Sequence, residues 1–338
     1  MAIRLKDIAA DVGVSTITVS KVLRNKPDVG EETRKRVLQR VRELNYRPNL
    51  LARGLASGHS NTVGLIVPDL VHTFFAEFAK GLKAGLRKRG YQLVLASAEE
   101  EPEMEIEEID NLLARGVDAL LVASCQTKPE GLRSLLHANL PYVLIDRVLP
   151  NLPTHFVGTD DFLAGSLATE HLVSLRRRAI AHIGNNEVST GADRFRGFKD
   201  ALRLAGLPLN ERLIVHSSRL EESGDRVGYE AMGTLLKLKK RPDAVFCYND
   251  LSAVGASNRI LGSGLRVPED VAVIGCGNLR LATYLEVPLS TIDQDTSELG
   301  EQAAGLTASL LSGVSSPGFR EIRVAPKVIA RASTIGKA

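Results

Sequence analysis

Apolar and polar positions follow two rhythms along the chain, and the rhythm changes near residue 60. Before that point the spacing is helical. Leu5, Ile8, Ala9 and Val12 fall on one face, and Gly13 is a natural stop. After the link Gly13-Val14-Ser15, Ser15 suits an N-cap and Val19, Val22 and Leu23 recur at i, i+3 and i+4. A third helix over about Glu31 to Asn45 carries Val37, Leu38, Val41 and Leu44, with Glu31 and Glu32 well placed in its first turn. Pro48 biases Arg47 away from helical geometry and closes it. The middle segment, "GVSTITVSKVL", is the difficult one. From Ile17 to Ser20 it alternates and is crowded with β-branched residues, so local propensity favours a strand. Those residues cost roughly tenths of a kcal/mol each in a helix, so packing of Val19, Val22 and Leu23 outweighs them. Helix, glycine-containing turn, helix and a supporting third helix make the helix-turn-helix plan. Its outward face then carries Thr16, Ile17, Ser20, Lys21 and Arg24, short hydrogen-bonding groups and cations suited to a groove; a plain three-helix module for protein contact is the alternative.

From Thr62 onward, apolar strands alternate with amphipathic helices. "TVGLIVP", "YQLVLAS", "VDALLVAS", "PYVLIDR" and "HFVGTDD" form one series, and "AIAHIG", "RLIVHS", "DAVFCYND" and "VAVIG" a second. Near-continuous apolar strands of this kind signal parallel sheets covered on both faces. Two series imply two doubly wound lobes facing each other across a cleft. Ligands in such sheets collect at the carboxyl ends of strands, where the chain places Asp69, Ser124, Asp146, Arg147, Asp160, Asn249 and Asp250.

Length and composition fit this division. The 338 residues suit about two domains plus extras, and 44% hydrophobic with 25% charged residues is ordinary for a globular protein. Charges break the N-terminus before a signal-peptide core could form, and no run long enough to span a membrane follows. Cys125, Cys247 and Cys276 are far apart, without metal-ligand spacing, so a reducing cytoplasm fits best. Neither a metal nor a cofactor is expected. The net charge of +3 is unevenly spread: residues 1–60 hold twelve Lys/Arg against six Asp/Glu, while the remainder is net negative. The basic part is the helix-turn-helix part, which suggests a polyanion partner for it.

Taken together, "LKDIAADVGVSTITVSKVLRNKPDVGEETRKRVLQRVRELNYRPNLLARGL", "TVGLIVPDL", "FFAEFAKGL", "IDR", "DRFRGF", "YNDLSAVGA" and "PLSTIDQD" resemble the lactose-repressor and galactose-repressor family of bacterial transcription regulators over essentially the full chain. The resemblance implies an all-α helix-turn-helix headpiece over 1–47, a hinge over 48–60 that becomes helical on operator DNA, and an α/β core over 61–338. That core is expected to resemble type I periplasmic binding proteins and to form a homodimer. Its N-lobe is expected over about 61–161 and 292–323, its C-lobe over about 162–291 and 324–338. By resemblance Thr16, Ile17 and Lys21 address major-groove bases, while Ser15, Thr18, Ser20, Asn25, Thr33 and Tyr46 position the backbone. Leu55, flanked by Ala52 and Arg53, corresponds to the hinge leucine that wedges into the minor groove. Gly54 departs from a good hinge helix, costing about 1 kcal/mol relative to Ala. In the core Phe74 and Phe75 match the aromatic pair that lines the effector, and Asp146, Arg147, Arg194, Asn249 and Asp250 match its hydrogen-bonding positions. Asp69, Ser124 and Asn278 join that candidate set.

Two further departures bear on the ligand. "VHTFF" stands where the family usually has Asn-Pro, and Gly277 and Asn278 stand where an acidic residue is usual. A sugar or sugar derivative is expected, with an anionic or modified sugar a serious candidate and Asn278 or Asp250 the substitute acceptors. The expected protein is a repressor on a near-palindromic operator, dimeric because the chain ends without a heptad segment for tetramers. A periplasmic-type sugar receptor is the nearest rival, but it has no use for a helix-turn-helix. The "GCG" after "VAVI" lacks a third glycine, and no catalytic constellation stands out, so no enzyme is expected.

Overall fold

In the computed structural model, residues 3–23, 25–46, 58–217, 224–313 and 318–336 are described, within two compact units, 1–60 and 61–338. The first unit is three helices, α1 (Leu5–Val12), α2 (Thr16–Leu23) and α3 (Glu31–Glu43). Ile8, Ala9, Val12, Val19, Val22 and Val37 are its buried centre, with Leu5, Leu23, Val41, Leu44 and Tyr46 packed around them. The apolar row at 19 and 22 therefore wins over strand propensity. Ser15 caps α2, its Oγ accepting from the Thr18 N–H at 3.1 Å. Gly13 ends α1 with φ 71°, a conformation that glycine adopts without Cβ strain. Arg40 of α3 donates from Nε and Nη2 to Asp11 of α1 at 2.8 and 2.6 Å. Two expectations shift here. The third helix stops at Glu43, two residues early, and Leu38 lies 37% exposed because the 37-41-44 row alone faces the centre.

The second unit runs β1 (Thr62–Val67), α4 (Thr73–Lys88), β2 (Gln92–Ser97), α5 (Pro102–Ala114), β3 (Ala119–Val122), α6 (Arg133–His137), β4 (Tyr142–Ile145) and β5 (His155–Thr159). There follow α7 (Asp161–Ser174), β6 (Ile180–Gly184), α8 (Ser189–Leu204), β7 (Ile214–His216), α9 (Gly224–Leu236), β8 (Ala244–Cys247), α10 (Asp250–Gly262), β9 (Ala272–Cys276) and β10 (Ser290–Asp293). The chain closes with α11 (Thr296–Leu311), β11 (Glu321–Val324), β12 (Lys327–Ile329) and α12 (Ala332–Ile335).

Two six-stranded sheets result, ordered β11-β5-β4-β3-β1-β2 and β12-β10-β9-β8-β6-β7. Every pairing is parallel except β10 with β12. Helices cover both faces, as buried parallel strands require. On the first sheet, Phe78 and Leu82 of α4 meet Leu299 and Ala303 of α11 on one side, while Ile109, Leu112 and Leu135 pack the other. On the second, Met232 and Ala256 belong to one core cluster and Ala168 and Phe198 to the opposite one.

The strand order reverses between β1 and β3 in the first lobe and between β6 and β8 in the second. At such switch points the loops diverge and leave a crevice at the carboxyl ends. The chain crosses between lobes at residues 160, 294–295 and 325–326. Those crossings lie one to three residues from the positions that sequence suggests, since β10 belongs wholly to the second sheet and Val324 to the first. Gln294, at one crossing, donates from Nε2 to Thr159 Oγ1 at 3.1 Å.

Candidate functional site

On the three-helix unit, burial of Val19 and Val22 turns Thr16 and Ile17 outward, and Ile17 is 66% exposed. Ser20, Lys21 and Thr33 are half-buried, and Tyr46 packs against the small core. Thr18 is taken up at the cap, its hydroxyl 2.9 Å from Ser15 Oγ. Lys21 pairs with Asp28 and lowers that carboxyl below its usual range. The pair is exposed, and such pairs hold weakly enough for a lysine to re-aim. Asn25, with φ 53°, accepts from Arg34 Nη1 at 2.7 Å. Arg24, Ala52, Arg53 and Leu55 lie outside the described residues.

In the two-lobed unit, the candidate residues divide between two cavities. The first, about 20 Å³, is the size of a single water and lies beside Phe74, Phe75, Asp146, Arg194 and Asn249. The two phenylalanine rings meet edge to face at 5.1 Å. His72 comes within 5.6 Å of Phe75, and its Nε2 lies 3.5 Å from Asn249 Nδ2 across the cleft. Asn249 also caps α10, its Oδ1 accepting from Ser252 N at 2.9 Å. Arg194 is buried. Its Nε donates to Asp161 Oδ1 and its Nη1 to the Tyr248 carbonyl, both at 2.8 Å, and its guanidinium stands 4.9 Å from the Tyr248 ring centre. Burial pushes the Asp161 carboxyl up to about 7, with Arg194 pulling the other way.

The second cavity, about 430 Å³, has Arg147 and Ser124 on its first-lobe wall and Asn185, Asn186, Glu187 and Ser189 opposite. That size suits a small ligand. Arg147 donates two guanidinium N–H groups to the Glu100 carboxylate at 3.1 and 3.3 Å. Ser124 Oγ donates to Glu105 Oε1 at 2.7 Å, and the other Glu105 oxygen accepts from Cys125 N at 2.7 Å. A direct bond joins the lobes here, from Val148 N to Ser189 Oγ at 2.9 Å. The Tyr248 hydroxyl, 2.9 Å from Thr190 Oγ1, connects the first cavity to the residue following Ser189.

Three expected site residues are turned elsewhere. Asp69 Oδ1 accepts from Val71 N within its own loop at 2.8 Å. Asp250 accepts from Thr291 Oγ1 at 2.6 Å and Leu279 N at 2.8 Å, so both oxygens serve the fold. Asn278 Oδ1 accepts from Arg331 at 2.6 Å. The carboxylate that answers Arg194 is instead Asp161, which, with Tyr248, Gln294, Glu100 and Glu187, sequence reasoning did not single out. Their only local signal is position, since Asp161 follows Asp160, Tyr248 precedes Asn249, and Gln294 falls in "STIDQD". Among the described residues no group of three or more His, Cys, Asp or Glu could hold a metal ion, and no helix is long and apolar enough to cross a membrane.

Residues 4–49 match the profile of bacterial regulatory proteins of the lacI family, and residues 169–334 that of a periplasmic binding protein-like domain. The chain is 34% identical over 333 residues to the HTH-type transcriptional repressor PurR of Histophilus somni (strain 129Pt), covering 97% of this chain and 98% of that one. It is 36% identical to the protein of the same name from Erwinia tasmaniensis, again over 333 residues, with 97% and 96% covered. Among solved structures, the Lac repressor bound to ONPG in the repressed state superposes with a TM-score of 0.87 at 25% identity, covering 99% of this chain and 100% of that one. The transcriptional regulator CelR in its cellobiose complex gives 0.72 at 29%, with 98% and 99% covered.

Proposed function

Since the chain belongs to the lacI family of bacterial regulatory proteins and is a DNA-binding transcriptional repressor, we propose that a small polar effector held between its two lobes sets its affinity for a near-palindromic operator. The observation that carries this is the interlobe cleft itself. Polar groups from both lobes line the larger cavity, and Val148 N to Ser189 Oγ already bridges it. A ligand there touches both lobes, so its binding free energy favours one lobe arrangement over another. Only such differential affinity can shift the DNA-binding equilibrium. A sugar or sugar derivative is the class proposed, and the cellobiose complex of the related CelR supports it.

On the DNA side, Thr16, Ile17 and Lys21 read base edges, and Ser15, Thr18, Ser20, Asn25, Thr33 and Tyr46 with Arg24 hold the backbone. Ala52, Arg53 and Leu55 form the hinge contacts in the minor groove. The working form is a homodimer in the cytoplasm, each headpiece reading one half-site so that operator pseudo-symmetry mirrors the protein twofold.

The test is fluorescence anisotropy on an operator selected from randomised duplexes, with and without a panel of sugars. Salt-steep binding that one sugar changes by about tenfold, roughly 1.4 kcal/mol of coupling, is expected. Operator affinity unmoved by every sugar that stabilises the protein would overturn the effector reading.

A further inference from the structure

We propose, building on the effector reading above, that the ligand occupies the larger cavity beside the Arg147–Glu100 pair and carries no negative charge. The class is an uncharged, hydroxyl-rich sugar or polyol, to the exclusion of sugar acids, sugar phosphates and nucleosides.

Space is the first argument. The aromatic cavity beside Arg194 is about 20 Å³, filled from the first lobe by His72, Phe74 and Phe75, whereas the cavity beside Arg147 is about 430 Å³. Charge is the second. Arg147 is 3% exposed and its fork is spent on Glu100. Glu187 adds a second carboxylate to the opposite wall, and next door Arg194 is held by Asp161. An incoming carboxylate or phosphate therefore meets Glu100 and Glu187 without a guanidinium left to answer it, and burying unanswered charge is costly. The third argument is the chemistry of the lining. No aromatic residue lines the larger cavity among the described residues, so a nucleobase has no stacking face there. The wall offers carboxylates and primary amides instead, acceptors and donors in the mixture that hydroxyl groups need.

Those groups stand on loops already fixed. Asn185 Oδ1 accepts from Glu187 N at 2.9 Å, the Asn186 amide lies 2.9 Å from His216 Nδ1, and Gln126 Nε2 donates to the Pro102 carbonyl at 2.7 Å. A wall set before the ligand arrives lowers the ordering cost of binding.

Titration calorimetry and thermal shift on the full-length protein test this, with glucose, galactose, ribose, cellobiose and sorbitol beside gluconate, galacturonate, glucose 6-phosphate, ribose 5-phosphate and adenosine. At least one uncharged member is expected to bind and stabilise, and its acid or phosphate counterpart to bind at least about tenfold more weakly. Glu100→Gln frees the Arg147 fork and is expected to narrow or reverse that preference, and Glu187→Gln to move it the same way. Far-UV circular dichroism and the unliganded melting temperature confirm that each variant is folded. Tighter binding of an acid, phosphate or adenosine by the natural protein overturns the charge assignment, as does failure of every uncharged member to bind. Loss of binding in Arg194→Lys with none in Glu100→Gln or Glu187→Gln places the ligand in the aromatic cavity and overturns the site. Operator affinity is read in parallel: a sugar that binds as described but leaves it unmoved contradicts the regulatory reading while the site stands.

Discussion

Asp250 sits fully buried at the start of α10, where burial pushes its carboxyl up to about 6 while the bonds from Thr291 and Leu279 pull against that shift. Unfolded, the same group ionises near 3.8. Between those values the folded protein keeps a proton that the unfolded chain has lost. The stability from this group is therefore full at lower pH and is lost as pH rises through about 6. The slope reaches at most about 1.4 kcal/mol per pH unit. Asp250→Asn is expected to remove that component, so the stability difference between natural protein and variant should drift across pH 4 to 6 in urea titrations; a constant difference would show that Asp250 does not titrate there. Arg194 carries a second residue-scale prediction. Because its Nε holds the buried Asp161, Arg194→Ala leaves a carboxyl without its counter-charge and is expected to cost about 3–5 kcal/mol. Urea unfolding measures it, and a loss below about 1 kcal/mol would mean that the pair contributes little to the fold.

At the scale of elements, α1 and α2 separate stability from recognition. Gly13 ends α1 at φ 71° with open space where a Cβ would stand, so Gly13→Ala pays backbone strain alone. It should destabilise the headpiece by roughly 1–2 kcal/mol, read as a lower headpiece melting temperature, with operator choice unchanged. Ile17 is the converse. Its side chain is largely exposed, so Ile17→Ala should leave that melting temperature within about 0.5 kcal/mol of its original stability. It should still relax base preference at one operator position, as a binding selection on randomised DNA would reveal. A melting loss as large as that of Gly13→Ala would place Ile17 in the packing instead.

For the whole molecule, the cleft and the DNA-binding segment have to act together, and the hinge positions test that link. Leu55→Ala is expected to weaken specific binding far more than non-specific binding. The wedge that stabilises an unstacked base step is lost, while the Lys and Arg residues that supply non-specific affinity remain. Anisotropy on operator and random duplexes at matched salt checks this, and equal losses on both would contradict a wedge at that position.

The sequence by itself determined the order and kind of the elements, because burial writes its period residue by residue. Val19 and Val22 at helical spacing overrode the strand propensity of Ile17 and Thr18, and unbroken runs such as "ALLV" of β3 announced parallel strands buried on both faces. It also placed polar residues at the strand ends where the cleft forms. What only the tertiary structure decided is which of those residues meet. Arg147 finds Glu100, 47 positions away, Arg194 finds Asp161, 33 positions away, and the two arginines line different cavities. Asp69, Asp250 and Asn278 satisfy groups of the fold itself. The physical reason is that a strand end has no periodicity to fix its side chain. The direction taken there is set by whichever buried donor or acceptor the packing of distant segments brings within hydrogen-bond reach.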